Sequence, residues 1–197
     1  MIRRSEAMRY NKEASIKKLT YIQSDGYAYI EIPYDLGQID IYIKSSNHGH
    51  TVHGNLFKQG ELRLNISTQA GAQITYNNVN IGSRSWMSGG NNKYFRVSSY
   101  NGVINGTNSD KGNWVKNIAY TEVDSPNKNI YLWDDTDSQR AEFKIEQVIA
   151  YDIDGGEIMN LIPAEIDGQL GFYDKISDAF HTNAGEGEFI AGDTIVN

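Results

Sequence analysis

Residues 143–192 read FKIEQVIAYDIDGGEIMNLIPAEIDGQLGFYDKISDAFHTNAGEGEFIAG, and this stretch decides the fold. Its opening alternates. Successive side chains of an extended chain point to opposite faces, so Phe143, Ile145, Gln147, Ile149 and Tyr151 are expected on one side. Lys144, Glu146, Val148 and Ala150 are expected on the other. Asp154-Gly155-Gly156 then supplies a turn, because glycine reaches positive φ at little steric cost. A second apolar run over 158–163 follows directly, as the return strand of a hairpin should. Beyond it lie short units over 170–174, 179–181 and 183–185, each bracketed by Gly or Asp. That punctuation belongs to short strands and tight corners rather than to helices.

The same period of two runs through the chain upstream. Ile39, Ile41 and Ile43 alternate with Gln38, Asp40, Tyr42 and Lys44. Leu62, Leu64 and Ile66 alternate with Glu61, Arg63, Asn65 and Ser67, and Phe95, Val97 and Ser99 oppose Tyr94, Arg96 and Ser98. Gly and Asn clusters such as Gly89-Gly90-Asn91-Asn92 separate these runs. Ile130 and Leu132, flanked by Tyr131 and Trp133, are apolar enough for a central strand covered on both faces. Nothing from Leu19 onward holds a helical stripe over several turns. The expectation is an all-β, two-sheet antiparallel sandwich forming one domain over 19–197, preceded by a short basic extension over 1–18.

A set of short motifs narrows this further. At the C-terminal end they are Ile162-Pro163-Ala164, Gly168, Leu170-Gly171-Phe172-Tyr173-Asp174-Lys175, Phe180, Thr182-Asn183-Ala184-Gly185, Gly187, Phe189, Ala191 and Gly192. Upstream stand Leu19-Thr20-Tyr21-Ile22-Gln23-Ser24-Asp25-Gly26 with Tyr29-Ile30, and Asn129-Ile130-Tyr131-Leu132-Trp133. In this order they resemble the LamG-like, concanavalin A-like jelly-roll family, common in bacteriophage structural proteins and in prophage or surface proteins of gut bacteria. The resemblance covers most of the chain after residue 18 and is loose over 45–128. It implies a jelly roll of the lectin and glucanase type. It also implies a bacteriophage virion component (tail, fibre or head decoration) that attaches to host-surface polysaccharide or to other virion subunits. The alternatives are a bacterial carbohydrate-binding module or adhesin domain and, behind it, a jelly-roll glycoside hydrolase.

Composition sets the outer limits. A net charge of −7 argues against nucleic acid as a partner, which calls for a basic face to neutralise phosphates. The absence of cysteine excludes a disulfide-stapled secreted module. No apolar run approaches the roughly 18 residues of a membrane span, so no membrane partner is expected. The first 18 residues hold no apolar core of signal-peptide kind. Assembly inside a cell and release on a virion is therefore the expected localisation, with a bacterial cell surface as the alternative. A particle component is expected to be a homo-oligomer. Within 1–18, Arg3, Arg4, Arg9, Lys12, Lys17 and Lys18 outnumber Glu6 and Glu13, which suits an anchor on an acidic assembly or a frayed terminus.

Candidate chemistry is sparse. A glycosidase needs two carboxylates about 5–10 Å apart across the scissile bond. The acidic clusters are Glu142 with Glu146, Asp152 and Asp154 with Glu157, and Asp134, Asp135 and Asp137. None fits the E-x-D-x-x-E pattern of hydrolases with this fold, and Asp152 and Asp154 flank a turn, so no catalytic residue is expected. For ligand binding, Trp86 stands near Asn91 and Asn92, and Trp114 near the Asn-rich run 108–113, each an aromatic platform among amide donors. His48 and His50 share one side of an extended segment and suit metal ligation or a solvated loop. Asp134, Asp135 and Asp137 suit calcium or a solvated hairpin tip. No cofactor is expected, and calcium stays open.

Overall fold

The computed structural model describes residues 16–36, 38–46, 53–67, 71–84, 93–100, 103–108, 112–119, 128–133 and 143–196. Among them the chain forms strands and no helix. In chain order these are β1 (Lys17–Lys18), β2 (Ile22–Ser24), β3 (Ile30–Ile32), β4 (Asp40–Ser46), β5 (His53–Gln59) and β6 (Leu62–Ser67). There follow β7 (Gly71–Tyr76), β8 (Val79–Arg84), β9 (Lys93–Ser98), β10 (Val103–Asn108), β11 (Gly112–Ala119) and β12 (Ile130–Leu132). The last five are β13 (Lys144–Tyr151), β14 (Glu157–Ile166), β15 (Gln169–Asp174), β16 (Ala179–Thr182) and β17 (Phe189–Ala191).

They build two antiparallel sheets. The larger, of eleven strands, runs β11-β10-β9-β4-β13-β14-β15-β16, with β1, β2 and β17 attached beside β13 and β14. The smaller runs β3-β12-β5-β6-β7-β8. The sheets stack as an all-β, jelly-roll sandwich. One core fills the space between them: Ile41, Ile43, Phe95, Val97, Val148 and Leu161 from the large sheet meet Ile30, Leu62, Leu64, Ile74, Ile130 and Leu132 from the small one. Among the described side chains the alternation read in β4, β6 and β9 is observed at Ile41, Ile43, Leu62, Leu64, Phe95 and Val97, and each contributes roughly 1.5–3 kcal/mol on burial. Lys17 and Lys18, the last residues of the basic extension, already belong to the sheet, since β1 pairs with Glu165 and Ala164 of β14. Residues 1–15 lie outside the described residues.

Two hairpin turns carry their own explanation. Asp167-Gly168 between β14 and β15 has φ of 51° and 80°, and Asn77-Asn78 between β7 and β8 has φ of 49° and 59°. Two successive positive φ angles are the two-residue connection whose twist matches that of the strands, and Asn, Asp and Gly tolerate it best. The predicted Asp154-Gly155-Gly156 turn is tied from two residues earlier. Asp152 Oδ1 accepts hydrogen bonds from the N–H of Asp154 and of Gly156, while Gly155 takes φ of 85°.

β13 departs from the predicted alternation. Ser45 pairs with Ile145 but Lys44 pairs with Gln147, which leaves Glu146 as the extra residue of a β-bulge. The bulge inverts the phase. Phe143 and Ile145 face the core before it, and Val148 and Ala150 after it. Gln147, Ile149 and Tyr151, placed by strict alternation with Ile145, turn to the outer side instead.

Trp133 breaks the alternation of β12 in another way. With φ of 62° it reverses direction, so Leu132 and Trp133 are both buried in succession. Its Nε1 donates to the carbonyl of Phe143 at 3.0 Å, and its ring lies 5.8 Å from that of Phe172 and 5.4 Å from that of Phe189. The side chain thereby ties the end of a small-sheet strand to the large sheet. A bulky residue at positive φ costs about 1–3 kcal/mol, which the buried indole and its hydrogen bond offset.

The motifs at the two ends of the chain meet each other. β17 pairs with β2, Leu19 bridges to Thr194, and Thr20 N–H donates to the carbonyl of Asp193. Two side chains lock the join. Asp25 accepts from the N–H of Tyr27 and Ala28 through Oδ1 and of Glu188 through Oδ2. Asn183 accepts from the N–H of Tyr29 and Gly185 and donates to the carbonyl of Gly187. Glycine is required at 187, where a Cβ would run into Asp25 Oδ1 and stand 2.6 Å from Ala28 N.

Candidate ligand-binding face

The outward side of β9, β4 and β13 gathers three tyrosines. Cross-strand neighbours on one side of a sheet stand about 4.5–5.5 Å apart, so register decides who meets whom. Arg96 lies opposite Tyr42, and Tyr42 opposite Ile149; one step along, Tyr94 lies opposite Lys44, and Lys44 opposite Gln147. At the other end Asp40 lies between Ser98 and Tyr151. Tyr42 therefore sits in the middle of the grid. The bulge at Glu146 completes it, because without the phase change Tyr151 would point into the core.

The side chains lock together by contact. Tyr42 stacks on Tyr94, ring centroids 5.1 Å apart and planes 30° from parallel. Arg96 donates to Asp40 through Nε at 2.8 Å and Nη2 at 2.6 Å, a two-pronged geometry that fixes the guanidinium plane. That plane lies over Tyr151, with Cζ 5.6 Å from the ring centroid. Tyr100 OH donates to the carbonyl of Tyr151 at 2.7 Å. Beyond them Gln147 donates to Asn160, and Asn160 donates to Glu157.

Burial raises the proton affinity of Tyr42; the Lys44 ammonium counters this, while Tyr94, Tyr151 and Glu146 add to it. The phenol thus stays protonated and serves as both donor and acceptor. Burial followed by the Asp40 charge does the same for Tyr100. The Asp40 hydrogen bond holds Arg96 charged.

A groove of about 460 Å³ adjoins this face, within the usual size of small-ligand sites. It opens where β13 and β14 diverge and the 18–21 segment comes alongside. Lys18, Thr20, Tyr21, Lys44, Glu146 and Gln147 line it together with the apolar Leu19, Ile162, Pro163 and Ile195. Lys44 and Glu146 form an ion pair of 2.8 Å at the junction of groove and face. Lys144 Nζ stands 4.2 Å from the centroid of the Tyr21 ring.

The ligand and metal candidates singled out from sequence all have their side chains outside the described residues. Trp86, Asn91, Asn92, His48, His50, Asp134, Asp135 and Asp137 lie outside the described residues. Trp114 falls on β11, with its side chain outside them too. Among the described residues, no group of three or more His, Cys, Asp or Glu side chains is placed to hold a metal ion. Sequence reasoning missed Tyr42, Tyr94, Arg96 and Tyr151, although three of them occupied the outward phase of strands it had identified.

No protein-family model matches the chain. No curated protein matches it either. Its fold does have a solved counterpart: a Bacteroides ovatus crystal structure, provisionally described as that of a carbohydrate-binding protein, aligns with a TM-score of 0.62 at 10% sequence identity. The alignment covers 91% of this chain and 62% of that one, so this chain spans less than two thirds of that protein's length. What the two share is the sandwich.

Proposed function

We propose that this chain is a non-catalytic carbohydrate-binding domain, with the tyrosine face of the large sheet and its adjoining groove as the place where a saccharide chain lies. The observation that carries the reading is the Tyr42–Tyr94 stack beside the Arg96–Asp40 pair. Flat aromatic rings meet the C–H faces of sugar rings, while fixed planar donors and acceptors meet hydroxyl groups. The fold shared with the Bacteroides ovatus protein supports the same class. It favours a bacterial carbohydrate-binding module or adhesin domain over the virion component. The LamG-like relationship read from the motifs remains part of the proposal.

The charged groups also argue for binding without turnover. Asp40 is held by Arg96, Glu146 by Lys44, and Asp152 by its own turn. Asp40 and Glu146 stand at opposite ends of the face, Asp40 across from Tyr151 and Glu146 beside Lys44. The test is affinity electrophoresis of the full chain through gels containing plant and bacterial polysaccharides. Retardation by at least one polymer is expected, reduced at least about tenfold in affinity by Tyr42→Ala with Tyr94→Ala, a loss of some 1.4 kcal/mol. Undiminished retardation of the double variant, or release of reducing sugar by the wild type, overturns the reading.

A further inference from the structure

The charge lining the groove is opposite in sign to the net charge of the chain. The chain as a whole has a net charge of −7. Of the groove's lining residues, however, Lys18 and Lys44 are cationic and Glu146 alone is anionic. That glutamate is bound to Lys44. The nearby Glu165 is taken by Lys17 at 2.8 Å. Lys18 is exposed and makes no ion pair with any described residue. A further cation, Lys144, lies against the ring of Tyr21 in the groove wall. The apolar part of the lining, Leu19, Ile162 and Pro163, suits a sugar ring, and Thr20 and Gln147 suit its hydroxyls.

We infer that the groove selects anionic saccharide units, uronic acids or sulfated sugars, with Lys18 as the cation that meets the acidic group. Tyr21 stacks on the ring, and the Lys44–Glu146 pair offers a donor and an acceptor to neighbouring hydroxyls. The inference rests on the proposed carbohydrate reading and assigns the ligand class within it. Such a contact is exposed to solvent, so its contribution per site is modest, salt-sensitive and multiplied along a polymer.

The experiment uses matched polymers on the full chain: polygalacturonate against its fully methyl-esterified form, and dextran sulfate against dextran. Binding at least about tenfold tighter to one or both anionic members is expected, weakening as salt rises from about 0.05 to 0.5 M. Preference for polygalacturonate alone identifies the carboxylate, and preference for dextran sulfate alone the sulfate. Lys18→Glu should abolish the preference, and Lys18→Ala should reduce it about three- to tenfold, with unchanged circular dichroism in both. Equal binding of charged and neutral partners, or a preference that survives Lys18→Glu, overturns the inference while leaving the tyrosine face in place. Failure of every polymer in both this set and the gel survey overturns both readings.

Discussion

The join between the chain's two ends and the outward side of the large sheet are made of different materials. The join is small residues and amides: Gly185, Gly187 and Gly192 lie where a Cβ would strike backbone or ring atoms, and Asp25 and Asn183 satisfy N–H groups that no strand partner reaches. The sheet face is large aromatic and charged side chains, Tyr42, Tyr94, Arg96 and Tyr151, that rest on one another and tolerate solvent. The first is close-packed backbone, so its identity is dictated by space. The second is set by contacts between side chains that remain open to solvent. The residues most recognisable as a motif are thus those that hold the ends together, and the candidate face carries no motif at all.

If that division is right, damage to the core or the join should lower stability and leave the affinity of the folded fraction alone, and damage to the face should do the reverse. The largest effect is expected at Trp133, which ties one sheet to the other. Trp133→Ala removes a fully buried ring and its hydrogen bond to Phe143 and should cost about 3–5 kcal/mol. In thermal unfolding that amounts to a fall of roughly 6–20 °C for a chain of this size. A loss below 1 kcal/mol would mean that the indole does not couple the sheets. Gly187→Ala comes next. Its methyl has to displace Asp25 or the backbone of Ala28, and about 1–3 kcal/mol is expected from chemical denaturation, with polysaccharide affinity at low temperature unchanged.

The strands were legible in the sequence because burial imposes a period of two. Ile41 and Ile43, Leu62 and Leu64, and Phe95 and Val97 lie in the core as their spacing required. Two reversals were not legible, since neither changes the residue pattern. The bulge at Glu146 inserts one residue with no glycine to mark it, and Trp133 takes positive φ although nothing in its side chain favours that. The candidate face depends on both the bulge and on strand order. Tyr42, Tyr94 and Tyr151 are far apart in sequence, and only the neighbouring of β9, β4 and β13 makes them one surface. Trp86 and Trp114 drew attention through their local company of Asn and Gly, a signal that reports turns as readily as ligands.

The face itself should respond in the opposite sense to the join. Tyr94→Ala removes the exposed half of an aromatic stack, which contributes about 0.5–1.5 kcal/mol beyond area burial. Stability should fall by no more than about that amount, while polysaccharide affinity falls at least about tenfold. Arg96→Lys keeps the charge but loses the two-pronged grip on Asp40 and the guanidinium that stands over the Tyr151 ring. A weaker loss, about three- to tenfold in affinity, is expected there. Variants that lose stability and affinity together would erase the distinction between the two regions.

The smallest effect concerns pH and separates the join from the rest of the molecule by its window. Burial pushes the Asp25 carboxyl up, but the N–H groups of Glu188, Tyr27 and Ala28 outweigh that and hold it below the usual carboxylate range. A depressed folded-state value means that the unfolded chain takes the proton more readily. The stabilisation is therefore complete above an ordinary Asp value near 4 and disappears as pH falls through the lower, folded value. His181 acts in a different window. Burial holds its proton affinity down, with Asp174 opposing, so the unfolded chain protonates first and stability begins to fall as pH drops through about 6.5. Urea midpoints at pH 8, 5 and 3 resolve the two. Asp25→Asn should be less stable than the wild type at pH 8 and 5, and the difference should narrow by pH 3. A difference as large at pH 3 as at pH 8 would place the contribution of Asp25 in its shape and not in its charge, and would make the join a matter of packing alone.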